Sequence, residues 1–243
     1  MEKQFCIVLR AVNYKDYDKM LALFSRTQGR IDAQARGARK LNSAFRAASQ
    51  PLCCGEFEFY KKGERLYVTS VLIKQEYFNI QNDYQKYTAA CVMLELIEKI
   101  LQNEQDYEQL FVMLINVLYV MEKSMVSYVQ ALAYFLTQVI DVLGVFPSLD
   151  ECVCCGMPVK TKDIHFSPIE GGAVCRDCLP NVKTVKVTEE IVQLLKRNLQ
   201  VPEQAIKTIV TTDENSKAIV ALLSDYLCNM VDITLKTMKC VEL

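Results

Sequence analysis

Five of the eleven cysteines of this 243-residue chain lie in one segment, between Cys152 and Cys178. This segment holds two C-x-x-C pairs, Cys152/Cys155 and Cys175/Cys178, separated by 19 residues. Each pair can form a tight turn with both sulfurs on one side, and two such turns facing each other complete a tetrahedron. The spacing therefore predicts a zinc site. Because four thiolates leave no open coordination position, the zinc would be structural.

Other interpretations of this segment stay open. The four cysteines could be reduced, partly buried thiols, or they could hold a metal other than zinc. Cys154 could replace Cys152 as a ligand, and His165, the single histidine of the chain, could replace one of the cysteines. We expect the side chain of Cys154 to point away from the metal and His165 to be an ordinary surface residue.

A basic stretch at residues 26–46 is the second feature that could bind a ligand, because it holds six cations and a single acid, Asp32. An arginine guanidinium can donate two hydrogen bonds to a phosphate and can stack on a base. We therefore predict that nucleic acid is bound by Arg26, Arg30, Arg36, Arg39, Lys40 and Arg46. Tyr14, Tyr17 and Phe45 are candidate stacking rings, although each could be a packing residue. The alternative is a charged face that contacts only water.

The net charge of −1 conceals an uneven distribution along the chain. Residues 1–80 carry 14 Lys/Arg and 8 Asp/Glu, whereas residues 81–151 carry 3 and 10. Residues 152–243 carry 11 of each. Residues 1–80 are thus basic and residues 81–151 acidic, and this asymmetry favours an anionic partner for residues 1–80.

The elements that must position these groups change in type along the chain. In the first eighty residues, apolar and polar side chains alternate, which is typical of strands. Gly29 and Gly63 lie in the turns of two predicted hairpins. The predicted strands are residues 5–10, 19–26, 30–36, 56–60 and 65–74. Five short strands favour a closed barrel, because closure removes the exposed edges.

After residue 84 the apolar period changes from two to about 3.6 residues, which indicates helices. Three helices are predicted before the cysteine-rich segment, at residues 84–101, 107–121 and 126–143. Beyond that segment, Thr188 can cap a helix, Pro202 opens a short helix, and Asp213 can cap a final long helix.

These patterns predict an α+β protein with several domains. We divide it into a nucleic-acid-binding barrel (1–80), the first part of a helical domain (81–148), an inserted zinc-binding module (149–181) and the second part of the helical domain (182–243).

The sequence does not indicate an enzyme. It lacks the G-x-x-x-x-G-K-[ST] loop of nucleotide hydrolases and the G-x-G-x-x-G loop of dinucleotide-binding proteins. Any serine or cysteine nucleophile would need His165 as its base. Glu56 and Glu58 form the nearest approach to a carboxylate pair, but they alternate with phenylalanines, as on the polar outer face of a strand.

The most apolar windows are too short or too polar to cross a membrane, and the N-terminus lacks the apolar run of a signal peptide. Eleven cysteines without such a signal indicate a reducing compartment. We therefore expect a cytoplasmic protein without membrane contact.

Several motifs occur together in this chain. They are Tyr14-Lys15-Asp16-Tyr17-Asp18, Leu23-Phe24-Ser25 with Gly29, Arg36-Gly37-Ala38-Arg39-Lys40 with Gln50-Pro51, Leu143-Gly144 with Pro147, Phe166-Ser167, Gly171-Gly172 and the two cysteine pairs. In this combination the chain resembles the bacterial RecO family of recombination mediators over nearly its full length. Asp16 and Ser25 are conservative departures from the glutamate and threonine expected there.

The resemblance implies an N-terminal OB-fold, a helical domain and a structural zinc module. It also implies binding of single- and double-stranded DNA, annealing of complementary strands without nucleotide hydrolysis, and a location at the nucleoid. With RecR, the family helps load the recombinase RecA onto DNA covered by single-strand-binding protein, whose acidic C-terminal tail it contacts. The candidate cations for that tail are Lys196, Arg197 and Lys207.

A zinc-containing protein–protein adaptor with no role in nucleic-acid binding is the alternative function. Retention on heparin or single-stranded DNA resin at moderate salt separates the two, because an adaptor with a solvated basic face elutes early.

Overall fold

The computed structural model describes residues 2–101, 107–159 and 164–243. The chain divides into two compact units, Met1–Glu122 and Lys123–Leu243. Within the described ranges, no helix combines the length and the apolar character that a membrane span requires.

Five strands form a closed barrel in the first unit: β1 Glu2–Tyr14, β2 Asp18–Ser25, β3 Gly29–Ala35, β4 Cys54–Lys62 and β5 Arg65–Gln75. The strand order is β1-β2-β3-β5-β4, and β4 pairs back onto β1. Only the β3–β5 pair is parallel among the described strands. A short helix, α1 (Phe45–Ala48), lies between β3 and β4. This is the topology of an OB-fold, so the predicted five-stranded barrel is confirmed.

The apolar side chains that alternate along the strands fill the core of the barrel. Leu21 and Leu23 of β2, and Phe57 and Phe59 of β4, point into the core and are almost completely buried. Because side chains on a strand alternate between its two faces, the residues between them point outward. Both predicted hairpins form, with β2 paired to β3 and β4 paired to β5.

Three helices follow the barrel in the first unit: α2 Phe78–Gln81, α3 Tyr84–Ile100 and α4 Tyr107–Glu122. Asp83 begins α3 as its N-cap, because its carboxylate accepts the backbone N–H groups of Gln85 and Lys86. α3 packs against β1 and α4 against β2. The Phe111 ring of α4 meets the edges of two barrel phenylalanines, so one side of the barrel wall is covered.

The second unit contains three long helices: α5 Tyr128–Val142, α6 Glu189–Gln200 and α7 Asp213–Met230. α5 packs against both of the others. Thr188 caps α6 as predicted, and the short helix after Pro202 is a 3-10 helix, Glu203–Thr208. Another 3-10 helix, Thr237–Cys240, follows α7.

The predicted capping role of Asp213 is wrong. Thr212 has the extended backbone of an N-cap, and its hydroxyl accepts the backbone N–H of Asn215. Asp213 is the first helical residue, and its carboxylate accepts a hydrogen bond from the Ser127 hydroxyl at 2.6 Å. The threonine one residue earlier therefore begins the helix.

A small antiparallel sheet lies between α5 and α6 in the chain, with the order β7-β6-β8. Its strands are β6 Ile164–Ser167, β7 Gly172–Val174 and β8 Val185–Val187, and a 3-10 helix, Leu179–Asn181, precedes β8. The Phe166 ring of β6 packs edge-on against Tyr226 of α7, which joins the sheet to the helices of the same unit. The four-segment domain division made from the sequence stays a prediction.

Candidate metal centre and nucleic-acid interface

The two C-x-x-C pairs come together in the second unit. The sulfur atoms of Cys152, Cys155, Cys175 and Cys178 all lie within 4.8 Å of one another. The Cys155 and Cys175 sulfurs are 3.7 Å apart. A tetrahedral ion with metal–sulfur bonds of about 2.3 Å requires sulfur–sulfur separations of about 3.8 Å. The four side chains therefore fit a tetrahedral metal ion.

Backbone hydrogen bonds shape the turns that carry these sulfurs. In the first turn, the Cys152 N–H donates to Met157 O, and the Gly156 N–H donates to Cys152 O, each at 2.8 Å. In the second turn, the Cys178 N–H donates to Cys175 O at 3.1 Å. Gly156 has a φ of +71°, a conformation that favours glycine.

A close backbone approach brings the two turns together. Gly172 forms a bridge to Ser148, and the Ala173 N–H donates to Ser148 O at 2.7 Å. A Cβ atom at position 172 would lie 2.4 Å from Ser148 O, so only glycine fits there. The second cysteine pair begins three residues later.

The Cys152 thiol ionises more readily than an ordinary cysteine, because its pKa is lowered. Burial opposes its ionisation, but the backbone N–H groups of Cys175, Cys154 and Cys155 stabilise the thiolate and lower its pKa to about 6. The pKa of Cys178 is raised by its contacts with the sulfurs of Cys175 and Cys155. A thiolate at Cys152 favours metal binding, since a metal ion must displace the protons of its thiol ligands.

Two alternative ligands lie outside the group of four sulfurs. Cys154 is exposed, and His165 is a half-buried residue of β6 whose Nδ1 lies 3.5 Å from the Thr184 hydroxyl. In the barrel, burial raises the pKa of Cys6 and Cys54 to about 12, so these thiols stay protonated.

Two of the six predicted DNA-binding cations are held by carboxylates. Arg26 pairs with Glu108 of α4, and its Nε donates to Oε1 at 3.0 Å. Arg30 lies 3.1 Å from Asp32 and 3.4 Å from Glu98 of α3. These acids compensate the two positive charges, so Arg26 and Arg30 are less available to a phosphate.

The other four cations are exposed and form no ion pair within the described parts of the chain: Arg36, Arg39, Lys40 and Arg46. Arg36 lies over the Tyr67 ring, 4.1 Å from its centre, and Lys40 lies 5.5 Å from the centre of the Tyr17 ring. Arg39 donates to the backbone oxygen of Asp16 at 3.0 Å, which attaches the loop after β3 to the loop after β1.

Lys19 is a member of this cationic group that our sequence analysis missed. It is half-buried, and its ammonium donates to Ser49 O at 3.2 Å. Its pKa is lowered, first by burial and then by the positive charges of Arg39 and Arg46. Because Lys19 lies in a predicted strand, outside the basic stretch, only the fold could connect it with the two arginines. We call Lys19, Arg39, Lys40 and Arg46 the basic cluster.

The three predicted stacking rings differ in exposure. Tyr17 is 57% exposed, whereas Tyr14 is half-buried beside the Lys15 ammonium. Phe45 packs against the barrel core, so it has a packing role.

A groove of about 710 Å³ in the second unit contains two of the cations predicted for an acidic tail. Lys196 and Arg197 line it, together with the apolar side chains of Leu194 and Val210. Lys196 is paired with Asp150 at 2.8 Å. Lys207 is exposed but is not among the lining residues.

Comparison with known proteins identifies the same family at both ends of the chain. The model described as Recombination protein O N terminal matches residues 1–76, and Recombination protein O C terminal matches residues 81–239.

Three similar proteins each carry the name DNA repair protein RecO. The one from Alkaliphilus metalliredigens is 32% identical over 218 residues, which are 83% of this chain and 88% of the relative. The one from Acetivibrio thermocellus is 30% identical over 184 residues, or 75% and 73% of the two chains. The one from Desulforamulus reducens is 26% identical over 232 residues, or 95% and 90%. The chain belongs to the RecO family of DNA repair proteins.

Proposed function

We propose that this chain is a recombination mediator that binds single- and double-stranded DNA and anneals complementary strands. With RecR, it would help load RecA onto single-stranded DNA covered by single-strand-binding protein. We place this activity in the cytoplasm, at the nucleoid, in keeping with eleven cysteines that all lie in the described part of the chain and form no disulfide there.

The basic cluster is the observation that carries the DNA-binding part of the proposal. The pKa of Lys19 is lowered by burial and then by the nearby charges of Arg39 and Arg46. Arg39, Lys40 and Arg46 are exposed and form no ion pair within the described residues, so the local potential is positive. Such a potential attracts phosphates, and each neutralised phosphate releases bound counterions. Arg26 and Arg30 would contribute less, because carboxylates already hold them.

Annealing would require no covalent step. Two DNA strands repel each other through their phosphates, and a surface that neutralises both lowers this repulsion. Contacts to phosphates leave the base edges free to pair. The chain therefore needs cations and an open surface, and no catalytic residue.

We propose that the metal is zinc and that its role is structural. Four thiolates suit zinc and leave no coordination position for a substrate. The ion would hold the turn that begins at Cys152 against the turn that begins at Cys175. It would thereby stabilise the small sheet of β6, β7 and β8.

The groove beside α6 is our candidate site for the acidic tail of single-strand-binding protein. Arg197 supplies positive charge there, and Lys196 contributes less because it is paired with Asp150. Glu190 also lines the groove, and Val210, 86% exposed, supplies an apolar contact. An acidic peptide with an apolar end would match this chemistry.

The test of DNA binding is fluorescence anisotropy of a single-stranded oligonucleotide, titrated with protein over a series of salt concentrations. Arg39→Gln/Arg46→Gln removes two positive charges from the basic cluster. We expect weaker binding and a salt slope shallower by about 1.4 units, because each single-strand phosphate contact contributes about 0.7.

Lys183→Gln/Lys186→Gln is the matched control, since it removes two exposed positive charges from the second unit. The control should bind with the wild-type slope. If the wild-type protein does not bind DNA even at low salt, the adaptor function replaces the mediator. If both variants bind like the wild type, the DNA contact lies away from the basic cluster.

A further inference from the structure

A row of outward-facing side chains crosses the barrel on the wall near the β4–β5 turn. Val12 lies opposite Met20, Met20 opposite Gln34, and Gln34 beside Tyr67. Tyr67 in turn lies opposite Tyr60. Directly paired residues project from the same face of a sheet, so the five side chains form a continuous row, in which Gln34 is buried.

The Tyr60 ring and the guanidinium that covers the Tyr67 ring, at one end of this row, are available to a ligand. Tyr60 is 51% exposed, a large value for an aromatic residue on a strand. Tyr67 is half-buried, and the exposed Arg36 guanidinium covers its ring at 4.1 Å. A guanidinium held over a ring can present its other planar face to a base.

The charges around the row suit a nucleic-acid strand. The end of β4 carries the exposed cations Lys61 and Lys62, β5 begins with the exposed Arg65, and the acid Glu64 lies in the turn between them. A groove of about 310 Å³ runs beside the row, lined by Tyr14, Met20, Asp32, Gln34, Glu64, Arg65 and Leu66. The other acid in this groove, Asp32, is paired with Arg30. Positive charge next to exposed rings is the combination that binds unpaired strands.

We propose that Tyr60 and the Arg36–Tyr67 pair form a stacking platform for unpaired nucleobases. The platform gives the barrel a preference for single strands, because the bases of a duplex are stacked on each other and do not present their faces. This inference rests on the proposed DNA-binding function. It assigns the base contacts to the platform and the phosphate contacts to the basic cluster.

The test compares two labelled oligonucleotides of twelve nucleotides, one of thymidines and one abasic, with equal numbers of phosphates. For Tyr60→Ala we expect affinity for the thymidine strand to fall roughly 5- to 160-fold, the range for loss of one stacked base. Affinity for the abasic strand and for a duplex should not change. The salt slope should also stay the same, since no charge is removed.

Two further variants distinguish stacking from damage to the fold. Tyr60→Phe keeps the ring and should bind the thymidine strand within about twofold of the wild type. Tyr84→Ala removes a tyrosine that is 64% exposed on α3 of the same unit, and it should have no effect.

Equal losses on the thymidine and abasic strands would overturn the platform, as would wild-type affinity in Tyr60→Ala. The basic cluster would still account for DNA binding in both cases. If the wild-type protein binds neither oligonucleotide at low salt, the proposed function fails together with the platform.

Discussion

Asp18 shows how one carboxylate can order a cationic loop. Its oxygens accept the backbone N–H of Gly37 at 2.8 Å and the side-chain amide of Gln34 at 2.6 Å. The Gly37 N–H is the main reason that the pKa of Asp18 is lowered, and Gln34, Arg36 and Lys15 act in the same direction. The acid therefore holds the start of the loop that carries Arg39 and Lys40.

We expect Asp18→Asn to lower the free energy of unfolding by about 1 kcal/mol near neutral pH, because the two hydrogen bonds reach different oxygens and the variant replaces one oxygen with an NH2 group, which cannot accept. A carboxylate with a lowered folded-state pKa stabilises the protein above its unfolded-state pKa. The difference between wild type and variant should therefore shrink as the pH falls below 3.8, the ordinary value. Urea denaturation at several pH values measures this difference. A difference that is independent of pH would contradict the role of the charge.

At the scale of elements, the helices beside the barrel determine which arginines stay unpaired. Glu98 of α3 accepts from Arg10 at 2.7 Å and lies 3.4 Å from Arg30. Only 13% of the Glu98 side chain is exposed, whereas the Glu108 side chain on α4 is 57% exposed. Glu98 thus pairs with arginines of the barrel in a largely buried site, whereas Glu108 does so in an exposed one.

Glu98→Gln should lower the free energy of unfolding by roughly 2 kcal/mol, because two arginines lose their shared partner in a partly buried site. Glu108→Gln is the matched control and should cost less than about 1 kcal/mol, as exposed ion pairs contribute little. Urea denaturation of both variants checks this difference. Equal losses would show that burial of Glu98 does not strengthen its ion pairs.

At the scale of the whole molecule, the two compact units carry separate candidate sites. The basic cluster and the tyrosine platform belong to Met1–Glu122, and the four-cysteine site belongs to Lys123–Leu243. Metal removal should therefore act first on the stability of the second unit, and on DNA binding only as a consequence.

Treatment with a zinc chelator should lower the melting temperature of the second unit by at least about 10 °C. Structural zinc contributes about 10–16 kcal/mol in small zinc-finger peptides, and a loss of even about 3 kcal/mol would produce a shift of this size in a small domain. Below that transition, DNA affinity should be retained. Circular dichroism melting with zinc quantification measures the effect. Cys175→Ser should lose the metal, whereas Cys154→Ser should keep it. A chelated protein with an unchanged melting temperature would contradict a structural metal.

Some features could be predicted because local patterns specify them. The period of apolar residues predicted the five strands and the long helices, and turn residues predicted both hairpins. The spacing of Cys152, Cys155, Cys175 and Cys178 predicted a group that the fold brings together. Capping was less certain, because Thr212 and Asp213 are adjacent and both residue types can cap a helix.

The amino-acid sequence by itself determined the barrel, the helices and the four-cysteine group, because periodicity, turn chemistry and C-x-x-C spacing act over short distances along the chain. Only the tertiary structure decided which cations and rings remain available. Arg26 is compensated by a glutamate 82 positions away, and Arg10 by one 88 positions away. Lys19 joins two arginines from a different segment, and Tyr60 faces Tyr67 through strand register. Charge compensation and shared faces depend on distances in space, which follow from the packing of distant segments.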